Sequence, residues 1–271
     1  MSNEFGQFLC VRKGLQPITV SGHVHAVERV SKQIGELTYE KAERYICTLY
    51  QSSFSYSHKV NQAMALEYWF EFQGQMVKFG RQKKPKQVIK DTLSEGEITA
   101  MFLSCKNIRE RAMLAVLAYS GVRPKEFCKI RRKHINFGTN ELLIEAGKGN
   151  KDRYIYVSAA CINILVDYLA AYPKQPDDFM FLTADRKFRQ YRASCLRKFI
   201  HVLARRAHIA KRVYPYILRH SLAINMINRG CDIFTIKNQL GHSWIETTLL
   251  YLNSLGYGLK NCYEKFCPSY T

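Results

Sequence analysis

The sequence predicts a mostly α-helical protein with one small antiparallel β-hairpin, in two parts joined by a short basic segment. Three observations carry this. Apolar residues recur three and four apart across residues 1–75 and again over most of the last hundred residues, the stripe of a helix face. A single pair of strand-like runs, 141–146 and 153–157, encloses the turn Gly147-Lys148-Gly149-Asn150-Lys151-Asp152, as a hairpin requires. Between the two helical parts, residues 78–90 hold Lys78, Arg81, Lys83, Lys84, Lys86 and Lys90 with no acid, and Gly80 and Pro85 break any helix there.

Helical spacing begins over 24–34 and continues over 39–50, where Ala42, Tyr45, Ile46 and Leu49 share a face. An aromatic-rich helix follows over 62–72, with Met64, Tyr68, Trp69 and Phe72. The expected organisation is an N-terminal helical domain over 1–77, a basic linker over 78–90 and a second domain over 91–271. In that second domain Thr92 or Ser94 caps a helix whose first turn holds Glu95 and Glu97. A helix over 107–120 turns Met113, Val116 and Leu117 to one face and is stopped by Gly121. Pro124 suits the first turn of the next helix, where no N–H is needed. After the hairpin, helices are expected over 158–172 and 189–210, and the remainder is helical apart from short turns.

Charge narrows the class of partner. The 271 residues hold 41 Lys and Arg against 22 Asp and Glu, a formal net charge of +19, with 47% hydrophobic residues. That apolar share builds a core, so the chain is not a disordered basic tail. A folded chain with such an excess selects a polyanion, and nucleic acid is the partner it fits. The excess is also concentrated, since residues 186–231 hold twelve cations and no Asp or Glu. Candidate duplex contacts are Lys83, Lys84, Lys86, Arg192, Arg197, Lys198, Arg205, Arg206, Lys211 and Arg212. Each phosphate neutralised on duplex DNA steepens the log–log salt dependence of binding by about 0.9.

No run of ~18 apolar residues is present, so no membrane-spanning helix is expected. The first residues lack the basic-then-apolar pattern of a secretory signal. Nine cysteines are scattered, with no C-x-x-C pair and no Cys/His cluster at zinc spacing. They predict free thiols in a reducing cytoplasm and no metal site.

Five short strings fall in order along the chain: Ser120-Gly121-Val122-Arg123-Pro124-Lys125-Glu126, the Lys148 turn, Pro215-Tyr216-Ile217-Leu218-Arg219-His220, Leu240-Gly241-His242-Ser243, and Thr247-Thr248-Leu249-Leu250-Tyr251. Taken singly, each has an ordinary role. Gly147-Lys148-Gly149 lacks the spacer and the Ser or Thr of a phosphate-binding P-loop. Ser243-Trp244-Ile245-Glu246 is a capping box that starts a helix. Tyr251 is one of 17 tyrosines, and Arg123 or Arg219 alone suits a surface phosphate contact.

Together, with Tyr251 nine residues after His242, the strings resemble the tyrosine recombinase (phage integrase) family, most closely its compact Xer-like members. The resemblance covers nearly the whole chain. It implies a two-domain architecture: a helical N-terminal core-binding domain that clamps DNA, and a mainly helical catalytic domain with a small antiparallel sheet. It implies Tyr251 as nucleophile, Arg123 and Arg219 as catalytic arginines, Lys148 as the hairpin lysine, His242 as the downstream histidine and Glu126 as the acid supporting Arg123. The activity it implies is site-specific recombination of double-stranded DNA through a 3′-phosphotyrosyl intermediate, with no metal, ATP or other cofactor. It further implies a homotetramer on paired sites, with the segment of about 253–271 passed to a neighbouring subunit; the equal alternative is a tail that packs on its own domain.

One position departs from the family string His-x-x-Arg-His, because Tyr216 stands where the first His is expected. A phenol titrates near ~10, so it is a poor base at neutral pH, but it still hydrogen-bonds a phosphate oxygen. The other residue types suit the chemistry. Guanidiniums present planar bidentate donors to phosphate oxygens, and an ammonium can protonate a leaving oxygen. Two further readings share the charge: a catalytically impaired DNA-binding or architectural protein of the same fold, and strand passage of the type I topoisomerase kind. A phenol at position 251 alongside Arg123, Lys148 and Arg219 favours the recombinase over pure binding.

Overall fold

The computed structural model describes residues 2–85, 91–145, 152–183 and 189–241. Lys86, Lys148, His242, Tyr251 and the 253–271 segment lie outside the described residues. The chain divides into two compact units, Met1–Val88 and Ile89–Thr271.

The described part of the first unit holds four helices: α1 (Ser2–Val11), α2 (Pro17–Ile34), α3 (Tyr39–Gln51) and α4 (Tyr56–Phe72). Pro17 opens α2, Thr38 Oγ1 accepts the Lys41 N–H, and Ser55 Oγ accepts the His58 N–H, so the starts of α2, α3 and α4 each have a local cause. Helix α4 is buried on two sides. Its Ala63, Leu66 and Phe70 pack with Val30, Ala42, Ile46 and Leu49, and its Ala65 and Trp69 pack with Phe5, Leu9, Ala26 and Val27.

The start of the basic segment is fastened to the helices before it. Phe79 joins the first of those apolar clusters. Glu67 accepts the Phe79 N–H on Oε1 and the Arg81 guanidinium on Oε2, both at 2.7 Å, and the Tyr50 hydroxyl donates to the Gly80 carbonyl at 2.5 Å. One aromatic ring and one buried carboxylate therefore pin residues 78–82 to the helices that precede them. Lys78, Lys83 and Lys84 are exposed.

The second unit runs α5 (Glu95–Leu103), α6 (Ile108–Ser120), a short α7 (Pro124–Phe127), a 3-10 turn (Arg132–His134), β1 (Ile135–Asn136), β2 (Glu141–Ile144), β3 (Arg153–Tyr156), α8 (Ala159–Ala171), α9 (Ala193–Arg206), α10 (Pro215–Asn228) and α11 (Ile233–Leu240). Ser94 forms a reciprocal capping box with Glu97, and Asn107, Ser158 and Asp232 cap α6, α8 and α11. Helix α6 is the axis of the core. Residues 112–118 are all buried, and α8 and α10 pack against it. A helix covered all round shows an apolar run rather than a stripe.

The sheet runs β1-β2-β3, antiparallel throughout, with Leu142 opposite both Ile135 and Ile155. The expected hairpin is β2 and β3. Strand β1 has two residues, too few to show a period in sequence. The helix expected over 189–210 begins later, at Ala193, because Gln190 bridges to Leu182 and its side chain donates to the Cys128 carbonyl at 2.9 Å. That helix closes at Arg206, and His208 follows in the left-handed region at φ +52°. Cys128 and Cys161 are buried as the apolar context suggests, whereas Cys10 and Cys47 are exposed.

Candidate active site

The site grows from the end of α6. Gly121 terminates that helix at φ +66°, and a Cβ on it would lie 2.6 Å from Leu240 Cδ2 and 3.0 Å from Leu222 Cδ2. Both the backbone angle and the space demand glycine. Ser120 Oγ accepts the Val122 N–H at 3.2 Å, which steers the chain into α7 with Arg123 as its N-cap. Three residues on, Glu126 reaches back. Its Oε2 accepts the Arg123 backbone N–H and its Oε1 accepts the Arg123 guanidinium, both at 2.8 Å. The spacing of three is that of a carboxylate at the third helical position folding over its own N-cap.

Arg219 comes from α10. It is only 3% exposed, and a guanidinium cannot shed its charge on burial, so it needs acceptors. It donates to the Gly121 carbonyl and to the Leu240 carbonyl, each at 2.5 Å. Arg123 donates to the next carbonyl, Gly241, at 2.8 Å. Two guanidiniums thus hold two successive carbonyls at the C-terminus of α11. Helix carbonyls lack intrahelical partners there, and the helix dipole favours cations. Gly241 turns out of the helix at φ +64°.

Glu126 has a second cationic partner that the sequence reading missed. Arg153, the first residue of β3, donates to Oε1 at 3.0 Å and to Oε2 at 2.9 Å. Burial alone would raise this carboxyl. The hydrogen bonds from Arg153 and from the Arg123 backbone, together with the Arg153 charge, outweigh burial and hold Glu126 below the usual carboxylate range. A signal for Arg153 existed. It stands two residues before Ile155, which is buried between the exposed Tyr154 and Tyr156 in β3, so the strand puts an arginine on the face turned to the core.

Gln239 of α11 covers the open edge of β3. Its Oε1 accepts the Tyr156 N–H at 3.0 Å, and its Nε2 donates to the Tyr156 carbonyl at 2.7 Å and the Ser120 carbonyl at 3.3 Å. One amide side chain stands in for a fourth strand and ties the sheet to the end of α6.

The structure thus brings Arg123, Glu126 and Arg219 together. Tyr216 lies one turn before Arg219 on α10 and is 45% exposed. The basic candidates divide. Arg192, Arg197, Lys198, Arg205 and Arg212 are exposed. Arg206 instead pairs with Glu110 at 2.8 Å, and Lys211 pairs with Glu97 at 2.8 Å while donating to the Thr92 carbonyl at 2.9 Å. Arg229 pairs with Glu95 at 2.8 Å. A stretch free of acid in sequence is not free of acid in space, and Arg206 and Lys211 are already matched within the unit.

Residues 91–256 match the profile of the phage integrase family, a span of more than half the chain that includes all five strings. The chain belongs to the phage integrase family. It is a tyrosine-type site-specific DNA recombinase with that family's architecture, mostly helical with a small antiparallel sheet. Tyrosine recombinase XerA of Pyrococcus horikoshii is 26% identical over 97% of this chain and 92% of its own length. The crystal structure of a XerA recombinase aligns with a TM-score of 0.60 at 24% identity, over 99% of this chain and 98% of that one. A XerH site-specific recombinase bound to its difH substrate in a pre-cleavage complex aligns with a TM-score of 0.68 at 17% identity, over 93% of this chain and 82% of that one, which shows a shared fold.

Proposed function

We propose that this phage integrase family member cuts and rejoins strands of duplex DNA through a 3′-phosphotyrosyl link to Tyr251. The observation that carries the reading is the seating of Arg123 and Arg219 on the successive carbonyls of Gly241 and Leu240. A guanidinium has five N–H donors, so carbonyl anchoring and phosphate binding are compatible, and the anchors orient both groups before substrate arrives.

The Tyr251 hydroxyl gives up its proton to solvent as its oxygen attacks the phosphorus, and the bond to the 5′ oxygen breaks. Charge builds on the non-bridging oxygens of a five-coordinate transition state, where Arg123 and Arg219 neutralise it. Loss of one preorganised donor of this kind costs about 10²–10³ in rate. Lys148 protonates the departing 5′ oxygen, and His242 and Tyr216 hydrogen-bond the phosphate. Rejoining reverses the step: a 5′-hydroxyl attacks the phosphotyrosine and releases Tyr251. The phosphodiester energy is kept in the covalent intermediate, so the reaction runs without ATP or metal.

The net charge of +19 and the exposed cations of α9 support double-stranded DNA as the partner, and the Tn1549 transposon integrase, a protein of the same fold, is in complex with transposon right end DNA. The reading extends to a homotetramer on paired sites that exchanges residues 253–271, and to the cytoplasm as the compartment. No helix of the described residues is long and apolar enough to cross a membrane.

The test uses nicked duplexes with randomised sites. The protein is incubated with them and denatured, and DNA still attached is sequenced. Wild type traps a defined site, while Tyr251→Phe traps none yet shifts the same DNA in a gel. The absence of any covalent species across the pool overturns the reading.

A further inference from the structure

We propose that Arg153 is a positioning residue that ties β3 to Arg123 through Glu126, so that the strand and the phosphate-binding arginines are held as one block. The proposal rests on the function given above and deepens it.

Three observations converge on Arg153. The first is how Glu126 is shared. Its two oxygens accept four N–H bonds, two from Arg123 and two from Arg153. One carboxylate between two guanidiniums leaves the cluster a net positive charge. Without Arg153, Glu126 and Arg123 form a closed neutral pair, and the carboxylate draws the Arg123 guanidinium away from a phosphate. With Arg153 present, the negative charge is divided and that of Arg123 is left for substrate.

The second observation is the packing around Gly241. A Cβ there would collide with Nε, Cδ and Cζ of Arg153, so the guanidinium lies directly under the backbone whose carbonyl holds Arg123. The glycine before His242 is thus explained by Arg153 as well as by its φ of +64°. Arg153 Nε is also buried without a hydrogen-bond acceptor among the described residues. Such a group is rare enough in folded proteins to require a reason, and fixed placement of the two bonds to Glu126 supplies one.

The third is connectivity. Arg153 follows Lys148 by five residues and begins β3, which pairs with β2 on one side and is held by Gln239 on the other. Whatever sets the position of this strand sets the grip on Glu126.

The test compares Arg153→Gln and Arg153→Lys with wild type, in the native background and in Glu126→Gln. Single-turnover cleavage of the trapped site, DNA affinity and melting temperature are read together. Misplacing a reacting group by about 1 Å costs about 10²-fold in rate. Arg153→Gln is accordingly expected to slow cleavage about 10- to 100-fold at saturating DNA, with affinity nearly constant.

The cleavage rate of that variant should also acquire an acid limb. Glu126 is faced only by Arg123 and Arg153 among the described charged groups, and loss of one lets its carboxyl titrate nearer the ordinary range. Lysine cannot make the bidentate pair and restores little of the rate. In Glu126→Gln, removing Arg153 adds little. A rate loss that is the same size in both backgrounds, or that follows melting temperature with a flat pH profile, overturns the proposal. If Arg153→Gln is unfolded at the assay temperature, Arg153→Lys carries the same comparison. Wild type that traps no DNA at all refutes the parent reading instead.

Discussion

Arg219 and Arg197 look alike in the sequence: each lies in a helix within the same acid-free stretch. In the structure they are opposites. Arg219 is buried on the carbonyls of Gly121 and Leu240, while Arg197 projects from α9 into solvent. A third kind stands between them, in Arg206 and Lys211, whose charges are met by Glu110 and Glu97. What separates the three is not the cation but what lies opposite: helix-end carbonyls, open solvent, or an acid from a distant helix. The first kind is fixed in orientation by carbonyls, the second faces solvent, and the third holds the unit together.

The largest effect expected is on the first kind. Arg219→Ala should lower single-turnover cleavage by at least about 10²–10³. It should also lower the melting temperature, since leaving a buried carbonyl without its donor costs about 1–3 kcal/mol. Cleavage at the wild-type rate would erase the distinction between Arg219 and the exposed cations.

Gly241→Ala comes next. It forces a Cβ into the Arg153 guanidinium at a positive φ, and overpacking with strained backbone costs about 1–3 kcal/mol each. Chemical denaturation reads the loss, and a variant as stable as wild type would show that Arg153 moves aside freely.

The second and third kinds should then part cleanly. Arg197→Ala should reduce the log–log salt slope of DNA binding by about 0.9 while leaving the melting curve in place. Arg206→Ala should do the reverse, keeping the slope and losing about 1 kcal/mol or less of stability, as partly exposed ion pairs do. Matching salt slopes for the two variants would mean that the Glu110 pair opens on DNA.

The smallest effect concerns a buried group that can discard its charge. His134 Nδ1 accepts the Arg131 N–H at 3.2 Å, and its Nε2 lies 3.2 Å from Glu145 Oε1 without alignment for a hydrogen bond. Burial lowers its pKa; Glu145 pulls the other way, and Lys133 and Arg131 add to the lowering. The unfolded chain takes up this proton near pH 6.5 and the folded one only at lower pH. Stability from this site is therefore complete above about 6.5 and declines as pH falls below it. The melting temperature of wild type should drop from pH 7 to 5.5 by more than that of His134→Asn. Parallel curves would mean that His134 is protonated in the fold.

Much of the site's local architecture was legible because it depends on neighbours a few residues away. Gly121 as a helix stop, Pro124 in a first turn, Glu126 three residues from Arg123, and the Ser94 cap are all decided within one turn of chain. Arg153 was not legible as part of the site, because the pattern that marks it is a single inward position in a four-residue strand. The bonds that fasten the start of the basic linker over 78–90 were not legible for a similar reason: Glu67 and Tyr50 lie 12 and 30 residues away from the groups they bind.

The sequence by itself determined the class of the protein: a mostly helical chain with one hairpin, a polyanion-seeking charge, and five strings in the order of the phage integrase family. Caps, stops and turns are short-range, so they are written where they act. Only the tertiary structure decided which cations are spent and which are free. Coulomb attraction and hydrogen bonding act through space rather than along the chain. Glu126 meets Arg153 from 27 residues away, and Glu110 meets Arg206 from 96.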